Sequence, residues 1–93
     1  MTSLITVDIN EAVTTLKTGN CVNLNANNAG WGDAELFEII KCIAGGFAQN
    51  LISLKLGGNN FSREAILVLY AVAGPDNVAR ALNNQYISNP QQN

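Results

Sequence analysis

Apolar and polar positions change rhythm several times along the 93 residues, and that rhythm divides the chain. Three short stretches alternate with the period of two that turns one side of a strand inward. They are Leu4-Ile5-Thr6-Val7-Asp8-Ile9, with Val7 and Ile9 on its core side, then Cys21–Asn25, then Ile52–Leu56. Between them the apolar residues recur at three and four, the spacing of amphipathic helices. Asn10 is the expected N-cap of a helix from Glu11 to Lys17, in which Ala12, Val13 and Leu16 share a face and Thr18-Gly19-Asn20 ends the element. Asp33 is expected to cap a second helix running to Ala44, with Leu36, Ile39, Ile40 and Ile43 buried and Glu35, Glu38 and Lys41 in water. A third runs from Ser62 to Ala73 and stops at Gly74-Pro75, and Pro75 suits the first turn of a last short helix, Asp76 to Asn83. Strands alternating with helices predict an α/β fold.

The most specific pattern is Leu51-Ile52-Ser53-Leu54-Lys55-Leu56-Gly57-Gly58-Asn59-Asn60-Phe61, which reads L-x-x-L-x-L-x-x-N-x-F and is followed by a helix. Leu54 and Leu56 alternate inward, Leu51 and Phe61 close the core on either side, and the Asn59 amide can satisfy backbone groups where the chain leaves the strand. A weaker copy precedes it. Val22-Asn23-Leu24-Asn25-Ala26-Asn27 answers Leu54 to Asn59 at an offset of 32, and Asp33 to Gly45 answers Ser62 to Gly74 at an offset of 29. The difference of three is assigned to an insertion within the loop Ala29-Gly30-Trp31-Gly32. In this register Gly19 stands at the first leucine and Ala29 at Phe61. The stretch resembles the leucine-rich repeats, in their ribonuclease-inhibitor-like class, over roughly residues 19–74.

The resemblance implies a single domain organised as a short β-α solenoid, with about three parallel strands and helices on its convex side. Residues 1–18 would be a cap unit, 19–46 and 47–74 the two repeats, 75–87 a capping helix and 88–93 a frayed tail. The implied function is protein binding by the exposed strand face, with no enzymatic activity and no cofactor. The residues carried over to that face are Asn23 and Asn25, then Ser53, Lys55 and Gly57, with Thr6 and Asp8 from the cap. Adaptors, inhibitors and bacterial effectors delivered into host cells carry repeats of this type. Two readings of other classes stand beside it: a structural unit that self-assembles through open sheet edges, and a small α/β enzyme of unrecognised type.

Composition narrows the field. At 47 % hydrophobic and 13 % charged the chain is globular. Its net charge is −2 and its five basic residues are scattered, which argues against a nucleic-acid partner. The apolar run Ala65 to Gly74 is too short to span a bilayer, and Met1-Thr2-Ser3-Leu4 lacks the basic segment of a secretory signal. A soluble protein in a reducing compartment is expected. Without histidine, neither Ser-His-Asp nor Cys-His catalysis nor a histidine metal site is available. Cys21 is expected to point out of the core and Cys42 to lie on a helix across the sheet, so both read as unpaired thiols.

Three positions stay open. Trp31 serves either as core cover or as a binding anchor. Leu67 and Tyr70, aligned with Glu38 and Lys41, put apolar surface on the outer face of the third helix. Either the stripe Val78, Ala81 and Leu82 folds over them or a second copy does, giving a weak homodimer.

Overall fold

The computed structural model describes residues 1–83. In chain order it forms β1 (Thr2–Ile5), α1 (Ile9–Lys17), β2 (Cys21–Asn25), α2 (Asp33–Ala44), β3 (Ser53–Lys55), α3 (Arg63–Ala73) and α4 (Pro75–Ala81). The strands make one parallel sheet in the order β1-β2-β3, so the expected α/β class and three-stranded parallel sheet are observed. Residues 84–87 of the expected capping helix and the expected tail, 88–93, lie outside the described residues. Among the described residues no helix is long and apolar enough to cross a membrane.

Leu4, Leu24 and Leu54 lie side by side across the three strands and face the helices. Leu24 joins Leu16, Leu36, Ile39, Leu56, Ile66 and Leu69 in a core whose members are at most 2 % exposed. Each such side chain contributes about 1.5–3 kcal/mol relative to exposure, which is why one helix face per unit suffices to hold the sheet.

The register differs from the one the sequence suggested. Asn23 pairs with Ser53, Leu24 with Leu54 and Asn25 with Lys55, an offset of 30 rather than 32. The same offset relates the helix N-caps Gly32 and Ser62, and the left-handed turn residues Asn28 (φ 56°) and Gly58 (φ 72°). One period of 30 therefore runs from strand through turn to helix, with no insertion. Cys21 takes the place of Leu51, Ala26 that of Leu56, Ala29 that of Asn59 and Trp31 that of Phe61. Trp31 and Phe61 are both buried aromatics, at 3 % and 4 % exposure.

The N-terminal unit is shorter than expected. β1 ends at Ile5; Val7 is 68 % exposed instead of inward, and Ile9 opens α1. Asp8, not Asn10, is the N-cap: its Oδ1 accepts the Asn10 N–H at 2.9 Å and the Glu11 N–H at 3.4 Å. A carboxylate at that point outcompetes the amide two residues on because it faces the positive end of the helix. Asp33 likewise does not cap α2. Gly32 does, its N–H donating to Glu35 Oε1 at 2.8 Å, while Asp33 accepts the Ser62 N–H at 2.7 Å and so ties the starts of α2 and α3 together. That contact with Ser62 holds the Asp33 carboxyl below its usual range.

Cys21 faces inward, 2 % exposed, contrary to the alternation rule. The ladder explains this: Thr2 pairs with Cys21 but Ser3 with Asn23, so Val22 is an extra residue in β2 and reverses the facing of what precedes it.

Candidate functional site: the open face of the sheet

Side chains on the strand positions between the leucines point away from the helices. The ladder sets them in two rows, Ser3–Asn23–Ser53 and Ile5–Asn25–Lys55. Of the residues expected at a binding face, Asn23, Asn25, Ser53 and Lys55 are thus neighbours on one surface that no described helix covers. Thr6 and Gly57 do not join them: both are buried, since Thr6 has the inward parity of Leu4 and Gly57 lies in the turn after β3. Asp8 is occupied at the start of α1. β1 contributes Ser3 and Ile5 instead, and Ile5, 82 % exposed, adds an apolar end to the row that carries Asn25 and Lys55.

The face is partly pre-ordered. Asn23 Nδ2 donates to Ser3 Oγ at 2.9 Å, linking the first two strands, and Asn25 Oδ1 accepts the Asn27 N–H at 3.0 Å. Lys55 is exposed. Among the described residues the single ion pair joins Lys41 to Glu38 on α2, so Lys55 has no carboxylate of its own within the described chain.

Behind the face, Asn59 locks the two units together. It is 6 % exposed; its Oδ1 accepts the N–H groups of Ala29 and Trp31, each at 3.0 Å, and its Nδ2 donates to the carbonyls of Ala26 at 2.9 Å and Leu56 at 3.0 Å. Three of those partners belong to the preceding unit. Asn27 does related work from another position, accepting the Gly57 N–H at 2.8 Å. Trp31 sits in the core, its indole Nε1–H donating to Val7 O at 3.0 Å, which ties the segment between β1 and α1 to the loop between β2 and α2. Of the two roles open from sequence, core cover is the one its 3 % exposure matches; an anchor needs surface it does not have.

On the helix side the period of 30 sets Leu67 opposite Phe37 and Tyr70 opposite Ile40, not opposite Glu38 and Lys41. Tyr70 is accordingly half-buried against the core, while Leu67 (53 % exposed) and Phe37 (39 % exposed) form a small apolar spot. α4 does not cover that spot. Val78, Ala81 and Leu82 are buried, and the Leu56 N–H donates to Ala81 O at 2.7 Å, so the helix closes the far edge of the sheet beside β3. A groove of about 420 Å³ remains beside β3, with Leu51, Leu54, Leu69, Val72 and Val78 among its walls and Arg80 at its rim hydrogen-bonded to Asn77. Both cysteines are free and buried, and burial pushes both thiols up.

No protein-family model, curated protein or solved structure matches the chain. The reading of function therefore rests on the residues above. Sequence reasoning missed Ser3 and Ile5, and the signal available for them was that Leu4 is the inward leucine of its strand, which leaves its two neighbours facing out.

Proposed function

We propose that this chain is a non-enzymatic protein-binding module of the leucine-rich-repeat type, ribonuclease-inhibitor-like in its unit length, and that it holds its partner on the open sheet face. The observation that carries the reading is the pair of rows Ser3–Asn23–Ser53 and Ile5–Asn25–Lys55, standing side by side on an uncovered face. Adjacent outward side chains on parallel strands offer amide, hydroxyl and ammonium groups in fixed relation, so a partner meets an already ordered surface and loses less entropy on docking. The uncompensated Lys55 favours a carboxylate opposite it, and Ile5 favours an apolar neighbour at the other end of the row.

The test uses the intact protein as bait, followed by calorimetric titration of whatever partner it retains. The Lys55→Glu, Asn25→Arg double variant should keep the parent's melting temperature and lose at least about tenfold in affinity. A partner that binds the double variant undiminished but is lost on Leu67→Asp would move the binding surface to the helices and end this reading.

A further inference from the structure

The two edges of the sheet are not treated alike. At the β3 edge, α4 lies against the strand, the Leu56 N–H is taken by Ala81 O, and Lys55 adds a charge. At the β1 edge charge and proline, two of the devices that keep strand edges apart, are absent among the described residues, and only the four-residue length of β1 and the bulge at Val22 work against pairing. Thr2 to Val7 contains no charge and no proline, and Ile5 and Val7 are 82 % and 68 % exposed.

The backbone of β1 says which groups that edge presents. The Thr2 N–H donates to Asn20 O and the Thr6 N–H to Asn25 O, both at 3.0 Å, so the even-numbered residues bond toward β2. Backbone groups of a strand alternate sides, and those of Ser3 and Ile5 therefore point to the open edge. We propose that this edge pairs with the same edge of a second copy, antiparallel and about a twofold axis at Leu4.

The spacing is self-complementary. In an antiparallel pair, directly opposed residues exchange both of their backbone bonds at every second position. With the axis at Leu4, Ser3 of each copy exchanges two bonds with Ile5 of the other, so four backbone hydrogen bonds form from the four outward residues. Leu4, half-buried on the helix side, meets its own counterpart and extends the core across the junction. Pairing a strand with itself brings like residues close together, so it tolerates charge poorly; a strand without charge suits a second copy in particular. The open faces of the two copies then join into one six-stranded surface, with the two Ile5 side chains near its centre. Four backbone bonds and one leucine pair make a small interface, so the association is weak and concentration-dependent. This inference does not depend on the open face binding another protein.

Sedimentation velocity on the full chain from about 0.02 to about 2 mM reads the association directly. The expected result is a monomer that converts to dimer across that range, without larger species, because an isologous contact closes on itself. Ile5→Pro removes an edge donor while leaving the bonds to β2, and Ser3→Pro does the same for the backbone at the other position while also removing the side-chain bond from Asn23; each should weaken the dimer at least about tenfold at an unchanged circular dichroism spectrum. In the parent, amide exchange at Ser3 and Ile5 should slow as concentration rises, a readout that holds even where a proline variant folds poorly. A chain that stays monomeric throughout, a dimer that survives both proline variants, or a dimer lost on Leu67→Asp instead would each overturn the proposal.

Discussion

Replacing Asn59 by alanine removes, in one step, the partner of four backbone groups: the N–H of Ala29 and Trp31 and the carbonyls of Ala26 and Leu56. The Trp31 N–H is buried with its bond, and a stranded buried donor costs about 1–3 kcal/mol. The bonds to the Ala26 and Leu56 carbonyls are buried as well, while the part-buried Ala29 N–H contributes about 0.5–1 kcal/mol. Because neighbouring terms are not additive, about 3 kcal/mol is the expected total. Against the roughly 5–14 kcal/mol available to a chain of this length, that is a large fraction. With an unfolding entropy of about 2.1 cal/mol/K per residue, the melting temperature should fall by about 15 °C. Urea titration followed by Trp31 fluorescence and by circular dichroism measures the loss; the midpoint should drop while the slope stays the same. Asn60→Ala is the control. The bond of Asn60 to Trp31 O uses the backbone N–H, which alanine keeps, so its cost should stay under about 0.5 kcal/mol. Equal losses at the two positions would show that the amide of Asn59 does not join the units and would remove the register built on it.

Trp31→Phe keeps an aromatic ring in the core but deletes the bond to Val7 O; a loss of about 1–2 kcal/mol is expected in the same titration read by circular dichroism, and no loss would show that this bond does not tie the β1–α1 segment to the loop after β2. Gly58→Ala should cost at least about 1 kcal/mol, because φ is 72° and the new Cβ would stand 1.9 Å from Asn28 Oδ1 until that side chain moves. Burial raises the pKa of Cys21 and Cys42 in the folded state. The protonated thiols are then favoured by folding, so their contribution is fully present below the unfolded value of about 8.5 and is lost as pH rises through the higher folded values. Thermal unfolding should therefore be flat up to about pH 8 and decline above it, and Cys42→Ala should make the decline shallower; a stability that rises across that range would contradict the burial of both thiols.

How far the chain could be read from its residues turns on which features repeat with a unique phase. The helices were legible because three-and-four spacing over a dozen residues has one solution, and Leu36, Ile39 and Ile40 are indeed buried. Strand phase was not, because a period of two looks the same after a slip of two. Val22-x-Leu24 matches Leu54-x-Leu56 better by residue type than Leu24-x-Ala26 does, and Asn27 lent false support by resembling Asn59. Asn27 does bond across to the next unit's turn, accepting from Gly57, but with one contact where Asn59 makes four, and that partial likeness is why it misled.

One criterion would have broken the tie. A single period needs no insertion, and only 30 places Cys21, Leu24, Ala26 and Trp31 over Leu51, Leu54, Leu56 and Phe61 at once. Under that period a smaller residue, Ala26, faces the core where Leu56 does later, while the larger Trp31 stands where Phe61 does; volume lost on one side of the unit is returned on the other. A slip of one in the opposite sense, 29 instead of 30, decided the outer helix face. A shift of one residue turns a helix by about 100°, enough to exchange Phe37 for Glu38 opposite Leu67 and to make a half-buried Tyr70 look like an exposed one. The bulge at Val22 was beyond any periodic argument. It is a local departure that lets Cys21 turn inward at the edge of the core, and only the pairing of Thr2 with Cys21 and Ser3 with Asn23 reveals it.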